Sequence, residues 1–375
     1  MNLPAHALAL PDRSGSIAHA RRAWLHGEVQ ARADAALPPW IARSWQRCLA
    51  AGRSPRERVM FEAVPRSAAA ATQERCGGFL GAARPVLERL SRAIAGTHYF
   101  ALLTDADGMV IEVGALHGQD DRAMRDIARV GVDLSERAVG TTAIGAALAE
   151  RSPVWLHRGE HFFEDTGVYT CAGAPVFDPA GRCVGMLDLT GVNVVERPEL
   201  QHLAQHAAQA IQNAWLRSLP CALLLQVNWP GSLAPLDAAA DSDGLLCLDA
   251  DGRVLGANAM ARQLLPLPAP GRADAVQAGD LFAVPPSQLF DAAARHPAPA
   301  EVPLWSGLRL HVRAQRRDAP AAPRLRDVQA SLIRQAVQDA RGNVAEAART
   351  LGVSRATVYR KLAASPTRPV KKNAE

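Results

Sequence analysis

The stretch YFALLTDADGMVIEVG, residues 99–114, is the clearest indication of β-structure in this sequence. Two short apolar runs flank residues 105–108, where Asp and Gly suit a tight turn. We therefore predict a β-hairpin, because short apolar runs separated by turn residues are typical of paired strands. Residues 17–95 differ, since their apolar spacing predicts an N-terminal helical region over residues 1–95.

The segments after the hairpin complete an α+β domain, predicted over residues 96–219. They are a helix in ERAVGTTAIGAALAE, a strand in PVWLH, and a second hairpin in CAGAPVFDPAGRCVGMLDLTG with its turn at residues 178–181. A long helix over about residues 198–219 closes the unit. This order of elements is typical of an α+β domain with an antiparallel sheet.

A second, smaller module begins in the same way as the first. DGLLCLDADGRVLGANAMARQLL contains another hairpin with an Asp-Ala-Asp-Gly turn that leads into a helix, and LRLHVRAQ alternates like a strand. We predict a second α+β domain over residues 235–315. The Pro- and Ala-rich stretch over residues 316–325 predicts a linker.

Composition limits the class of protein. The 375 residues are 48% hydrophobic and 21% charged, as expected for two or three globular domains. No apolar run is long enough to span a membrane, and the N-terminus lacks a signal-peptide pattern, so we expect a cytoplasmic protein without membrane contact. The six cysteines form no CxxC pair, which favours buried thiols over a zinc site or a disulfide framework.

The C-terminal segment is basic, although the rest of the chain is not. Residues 324–375 contain eight Arg and three Lys against two Asp and two Glu, a net charge of +7, whereas the whole chain carries +5. These basic residues lie within and beside the stretch RGNVAEAARTLGVSRATVYRKLAAS, residues 341–365. Such local basicity is expected of a segment that contacts nucleic acid.

The same segment has the pattern of a helix-turn-helix. Residues 325–340 carry one apolar helical face, and Gly342 can end that helix. We expect Asn343 to cap the second helix, Gly352 to form the turn, and Ser354 to cap the third helix. Two short helices joined by such a turn form a DNA-binding motif.

The third helix is the predicted recognition helix. Val358 and Leu362 can pack inward with Leu351 and Val353. Arg355 can then pair a guanine through its planar guanidinium, and basic residues further along can contact phosphates. The predicted DNA-binding residues are Asn343, Ser354, Arg355, Thr357, Tyr359, Arg360 and Lys361. The alternative is a solvated basic helix, but the agreement of caps, turn glycine and apolar residues favours DNA binding.

Catalytic motifs receive little support. Residues 157–161 fit the H-x-x-E-H zinc pattern, but a glycine interrupts it and the preceding residues predict a strand. A P-loop requires a lysine, and none occurs before Lys361. We therefore expect neither a metal nor a cofactor, and no enzymatic activity.

Four stretches resemble a known family: SWQRCLAAGRSP (44–55), GVDLSERAVGTTAIGAALAERSPVWLHRGEHF (131–162), TCAGAPVFDPAGRCVGMLDLTG (170–191) and the helix-turn-helix. They resemble bacterial transcription regulators of the acetoin-regulator type. The resemblance implies a GAF sensor domain, sometimes a PAS-like domain, an AAA+ ATPase that acts on the sigma-N polymerase, and a Fis-type DNA-binding domain. The first α+β domain would then be GAF, the second PAS-like, and residues 326–366 an all-α Fis-type helix-turn-helix.

The sequence departs from that family in three places. The AAA+ module is missing, because only the linker separates the second α+β domain from the basic tail, without a Walker A motif. The resemblance therefore implies sensing and DNA binding but not ATP hydrolysis. Thr142 stands where the family usually has Asn, and Leu134 where it often has Trp.

A GAF domain implies a small-molecule pocket between the sheet and the helices and loops that cover it. Phe100, His161, Phe163, Tyr169 and Cys171 would supply an apolar cup with a few polar groups, as small-molecule sites usually have. The alternative is that these aromatic residues fill the domain core.

Two functions follow from these patterns. In the first, the protein is a homodimeric transcription regulator that binds double-stranded DNA in response to a small metabolite or a partner, and that contacts RNA polymerase or a full-length relative. In the second, it is a sensor and interaction protein that assists a full-length sigma-N activator, and its tail serves mainly for dimerisation. Sequence-specific DNA binding distinguishes them.

Overall fold

The computed structural model describes residues 13–25, 37–62, 65–116, 121–234, 242–269, 276–295, 298–317, 333, 336–337, 343–355 and 357–358. The chain divides into two units, Met1–Arg316 and Arg317–Glu375. None of the helices in these described ranges is both long and apolar enough to cross a membrane.

The first unit contains mixed helix and sheet, which confirms the predicted α+β class. Its helices are α1 Arg13–Leu25, α2 Pro39–Ala50, α3 Arg66–Arg75, α4 Gly77–Ile94, α5 Arg122–Ile127, α6 Glu136–Val139, α7 Ala143–Glu150, α8 Leu200–Ser218, α9 Ala259–Leu264, α10 Ala278–Leu281 and α11 Pro286–Arg295. Its strands are β1 Tyr99–Asp105, β2 Val110–Val113, β3 Val154–His157, β4 Tyr169–Phe177, β5 Cys183–Val192, β6 Leu223–Asn228, β7 Gly244–Leu248, β8 Val254–Ala257, β9 Ala300–Pro303 and β10 Arg309–Arg316.

Two five-stranded antiparallel sheets organise these elements. The first sheet has the order β2-β1-β5-β4-β3 and the second β8-β7-β6-β10-β9. The three predicted hairpins are confirmed as β1–β2, β4–β5 and β7–β8. In each turn an aspartate accepts backbone N–H groups through its side chain, and a glycine with φ between +80° and +87° completes the reversal.

The first sheet is buried on both faces. One face packs against α4 and α8, where Phe79 and Trp215 stack with ring centroids 5.6 Å apart. The opposite face packs against α5, α6 and α7. Because side chains alternate along a strand, neighbouring residues of β5 enter different cores: Leu187 and Leu189 face α4 and α8, whereas Met186 and Val192 face the other side.

Helix α4 belongs to this core, although the sequence pattern placed residues 1–95 in a separate helical region. Ala83, Leu87 and Ile94 are buried in the same cluster as Leu103 of β1. The apolar periodicity identified the helix correctly, but periodicity along one helix does not identify the sheet against which it packs.

The second sheet begins earlier than residue 235, where the sequence pattern started this module. Strand β6 follows α8 closely and lies at the centre of the sheet, between β7 and β10. Its residues Leu223, Leu225 and Val227 are fully buried in the core of the second module. The central strand of this module therefore precedes its first hairpin in the sequence.

A buried junction joins the two modules of the first unit. The Asn258 side chain donates to Asn213 Oδ1 (2.9 Å) on α8 and accepts from the backbone N–H of Leu245 and of Ala261. The backbone oxygen of Pro179, in the β4–β5 turn, accepts from the second module at 2.9 and 3.2 Å. A Cβ atom added to Gly256 would lie 2.7 Å from Pro179 Cβ, so the close packing at this junction requires glycine there.

Replacing Asn258 by Ala should lower the free energy of unfolding by about 2–4 kcal/mol, because it removes an N-cap and leaves buried polar groups without partners. Urea denaturation of the full chain measures this change. The exposed Gln263→Ala, on the same short helix, is the control and should change stability by no more than about 0.5 kcal/mol. Equal stability of the two variants would contradict the assigned role of the junction.

Candidate functional site

A cavity of about 30 Å³ lies between the first sheet and the elements that cover it. This volume is close to that of one water molecule in the liquid, so a larger ligand requires side chains of the lining to move. Apolar side chains form most of its wall, and the described part of the chain contributes no Lys or Arg to it. The lining residues are Phe61, Leu102, Ile127, Leu134, Val139, Thr142, Ala143, Ile144, His161, Thr166, Tyr169, Cys171, Asp188 and Thr190.

The structure brings three of the five predicted ligand-binding residues together. His161, Tyr169 and Cys171 line the cavity. Phe100 lies on the same face of the sheet and is buried in the adjoining core, but it does not line the cavity. Phe163 lies in a separate cluster beneath α2, with the guanidinium of Arg53 4.8 Å from its ring centroid.

Polar groups form a chain along one wall of the cavity. His161 Nε2 lies 3.7 Å from Cys171 Sγ, and Cys171 Sγ lies 3.3 Å from Thr190 Oγ1. The Thr190 hydroxyl donates to Asp188 Oδ2. Within the described ranges Asp188 Oδ1 has no hydrogen-bond partner, although the residue is fully buried. A buried carboxylate oxygen without a partner costs free energy, so this group needs an explanation.

Burial shifts the pKa values of the ionisable side chains along this wall. It raises the pKa of Asp188 to about 7, partly opposed by the hydrogen bond from Thr190. It lowers the pKa of His161 to about 4, so this imidazole is neutral at neutral pH. His161 Nδ1 lies 2.8 Å from the backbone oxygen of Arg158, which assigns the proton to Nδ1 and leaves Nε2 as the acceptor facing Cys171.

Sequence reasoning missed Asp188, although the sequence contains a signal for it. The residue sits in LDLT on a central strand, between Leu187 and Leu189, which face the opposite core. Aspartate is depleted in strands, and a strand buried on both faces has no solvated position for one. An Asp and a Thr on the same face of such a strand therefore point to a buried polar site.

The N-terminal segment supplies part of the cavity wall. Phe61, shortly after α2, packs edge-on against Tyr169 with ring centroids 6.3 Å apart. Trp45 of α2 donates through Nε1 to the backbone oxygen of Glu160 at 2.9 Å. The helices assigned to a separate region thus hold the loop that carries His161.

Helix α1 holds the same loop through one arginine. The Arg21 guanidinium donates to the backbone oxygens of Gly159 (2.8 Å), His161 and Phe162 (3.1 Å). Burial lowers its pKa, and the charge of Glu164 partly opposes this effect. Since one side chain satisfies three carbonyl groups, it fixes the backbone on both sides of His161.

The two histidines of the H-x-x-E-H stretch do not converge. His157 ends β3 and places Nδ1 3.0 Å from the hydroxyl of Thr170, whereas His161 faces Cys171. Glu160, between them, pairs with Arg13 at 2.9 Å. Among the described residues, no group of three or more His, Cys, Asp or Glu could hold a metal ion.

The second unit contains the predicted caps. Helix α12, Val344–Thr350, begins after Asn343, whose side chain accepts from the N–H groups of Ala345 and Glu346. Ser354 Oγ accepts from the Thr357 N–H at 3.2 Å. Both caps are therefore confirmed, and Gly352 has a φ of +63°, as the turn requires.

A small apolar cluster supports this motif. Ile333, Ala348 and Val358 are buried, and Val337, Val344 and Leu351 pack around them. Val353, which we predicted to pack inward, is 37% exposed and therefore contributes less to this cluster than expected.

The predicted DNA-contacting residues are only partly described. Arg355 is exposed and Thr357 is partly buried. Tyr359, Arg360 and Lys361 lie outside the described residues, as do Leu362 and most of the helix predicted over residues 325–340. The assignment of these residues to DNA contact stays a prediction.

Comparisons with known proteins match both units. Residues 17–213 match the family described as MimR, N-terminal domain, and residues 324–364 match the bacterial regulatory protein, Fis family. The first match includes the N-terminal helices and the whole of the first sheet. The second match contains the capped helices of the second unit.

Several curated relatives are transcription regulators. The acetoin catabolism regulatory protein of Cupriavidus necator is 32% identical over 260 residues, 67% of this chain and 37% of that protein. The acetoin dehydrogenase operon transcriptional activator AcoR of Bacillus subtilis is 31% identical over 183 residues, 48% of this chain and 30% of that protein. This chain therefore spans only about a third of the length of these relatives.

One solved structure shows a remote likeness to this chain. The Escherichia coli DhaR(N)–DhaL complex contains a chain with 15% identity and a TM-score of 0.44, over 75% of this chain and 100% of that one.

Replacing Arg21 by Ala should lower the free energy of unfolding by about 2 kcal/mol, because three partly buried carbonyl groups lose a charged donor. Thermal denaturation of the full chain measures this loss. Arg22→Ala removes the same charge from an exposed position of α1 and should have little effect. A loss of stability that is the same for both variants would show that the contacts of Arg21 contribute nothing specific.

Replacing Asp188 by Asn should stabilise the protein in a pH-dependent way. The folded pKa of about 7 lies above that of an unfolded aspartate, about 3.9, so the wild type loses stability as the pH rises between these values. The variant avoids this loss, and its free energy of unfolding should exceed that of the wild type by about 1–3 kcal/mol at pH 8.

Urea denaturation at pH 8 and at pH 4.5 tests this sign, because the difference should shrink toward zero at the lower pH. Asp126→Asn changes an exposed carboxylate and is the control. A stability difference that does not depend on pH would show that Asp188 is not the group that titrates.

Proposed function

The chain belongs to the family of the MimR N-terminal domain, and from that premise we propose that it is a transcription regulator that binds DNA in response to a small molecule. The observation that carries this proposal is the presence, in one chain, of a cavity-containing module that matches this family and a segment that matches the Fis family. Each match supplies one half of a ligand-responsive regulator.

We assign the first module to the GAF type and the second to the PAS-like type. The cavity lies between a sheet and the helices and loops that cover it, which is where a GAF domain is expected to bind its ligand. The second module shares the antiparallel sheet and the hairpin turn of the first. Its role is to connect the sensor with the linker and the DNA-binding segment.

The wall of the cavity favours a small neutral molecule. Among the described residues of the lining there is no Lys or Arg to neutralise an anion. The volume of about 30 Å³ favours a compact ligand, which binds as side chains of the lining move. Two relatives are named for acetoin catabolism and the acetoin dehydrogenase operon. Acetoin is therefore the first compound to test.

The Fis-type segment is proposed to read the DNA major groove. Arg355 follows the Ser354 cap directly and is exposed at the start of the third helix, where recognition helices contact base edges. Arg360 and Lys361 are proposed to contact phosphates. A homodimer would place two such helices on half-sites of one operator, since helix-turn-helix proteins commonly bind DNA as dimers.

This regulator would act without ATP hydrolysis. The sequence contains no P-loop, because no lysine precedes Lys361. Activation or repression would then result from occupancy of the operator, from direct contact with RNA polymerase, or from assembly with a relative that has the ATPase.

Genome-wide DNA binding by the intact protein tests the proposal, followed by mobility shifts on the most occupied site over a range of salt concentrations. The regulator should bind a discrete palindromic site far more tightly than random DNA. Uniform binding with a steep dependence on salt would show electrostatic attraction alone and favour the interaction-protein function.

Two variants separate base readout from phosphate contact. Arg355→Ala should weaken binding to the operator by about 1–3 kcal/mol and relax specificity at one base pair, whereas Lys361→Ala should weaken binding to all sequences alike. Competition mobility shifts with operator and scrambled DNA measure the difference. Operator binding that neither variant changes would contradict the proposed contacts.

A further inference from the structure

We propose that Asp188 selects the ligand of the cavity by accepting a hydrogen bond, through its free Oδ1, from a hydroxyl group of that ligand. This inference rests on the proposed sensing role of the cavity. It names the residue that recognises the ligand and the chemical group of the ligand that is recognised.

The neighbours of Asp188 leave its Oδ1 free for a ligand. The residue lies on the central strand β5 opposite Leu102 of β1 and Gly173 of β4, neither of which offers a polar side chain. Thr190, two residues along the same strand, occupies the other carboxylate oxygen. Both Asp188 and Thr190 line the cavity, so Oδ1 is the carboxylate oxygen that remains for a molecule bound there.

The position opposite Asp188 on β4 cannot supply a side-chain donor. A Cβ atom added to Gly173 would lie 2.4 Å from Met186 Cε and 3.0 Å from the backbone oxygen of Ala143. Glycine is therefore required at this position, and the residue that pairs with Asp188 leaves Oδ1 without a partner.

The other hydroxyl groups of the lining already have partners. Tyr169 and Thr166 each donate to a backbone oxygen at 2.9 Å, and Thr142 accepts from a backbone N–H at 3.2 Å. Asp188 Oδ1 is therefore the acceptor that remains unpaired in the described lining. One free acceptor matches a hydroxyl group, which donates one hydrogen bond, rather than an ammonium group, which donates three.

The charge of Asp188 also decides which molecules are excluded. A carboxylate ligand would face a buried negative charge at close range, and the described lining contains no Lys or Arg to compensate it. A small ketone without a hydroxyl would leave Oδ1 unpaired. The cavity should consequently prefer a hydroxylated neutral molecule over both.

Isothermal titration of the full chain with two matched pairs of compounds tests this preference: acetoin against 2-butanone, and hydroxyacetone against acetone. The members of each pair differ by one hydroxyl group. At pH 8 the hydroxylated member of at least one pair should bind ten-fold or more tightly than its partner. Asp188→Leu should abolish that preference, while Asp126→Asn, an exposed carboxylate of α5, should keep it.

The pH dependence separates direct recognition from a structural role. The preference of the wild type should fall between pH 8 and pH 6, because a protonated carboxyl group is the weaker acceptor. The preference of Asp188→Asn should not depend on pH. The other titratable groups of the lining keep their charge in this range: the pKa of His161 is lowered to about 4, and burial raises the pKa values of Tyr169 and Cys171.

The outcomes distinguish this inference from the proposed function. Equal binding of both members of each pair, or a preference that survives in Asp188→Leu, would overturn the role of Asp188 and leave small-molecule sensing intact. If none of the four compounds binds to protein that still binds its operator, the small-molecule sensing proposal fails together with this inference.

Discussion

The pairing of β4 with β5 is the interaction on which the first unit depends. The two strands pair along their whole length, and both also pair with an outer neighbour, so they form the middle of the sheet. One face of the pair packs against α4 and α8, and the other face carries Cys171, Asp188 and Thr190 into the cavity. The turn between them contacts the second module. A single hairpin thus connects the core, the cavity and the module junction.

The same hairpin explains why the cavity can contain a carboxylate. A buried charged group without full pairing is unfavourable, and it persists only where the surrounding structure holds it in place. Here the sheet fixes the backbone of Asp188 on both sides, and Thr190 satisfies one oxygen. From outside the sheet, Arg21 and Trp45 fix the loop that carries His161. The N-terminal helices therefore pack against the first module and hold its loop in place.

Local chemistry made part of this structure predictable. The three Asp-Gly turns, the caps at Asn343 and Ser354 and the long helix α8 follow from residue types at fixed spacing, and all are present. Contacts between distant segments were not predictable in this way. Periodicity identified α4 without its partner, and the central position of β6 depends on pairing with β10, which lies much further along the chain. The cavity illustrates both cases: His161, Tyr169 and Cys171 were predicted, whereas Asp188 and Phe61 were not.

The proposed function requires that ligand binding in the cavity and DNA binding by the Fis-type segment are coupled in one chain. The affinity of the full chain for its most occupied genomic site, measured with and without saturating acetoin at fixed salt, tests this coupling. We expect a change of about five-fold or more, and reciprocally an equal change in acetoin affinity when operator DNA is bound. Acetoin that binds the chain but leaves its affinity for the operator unchanged would contradict the coupling.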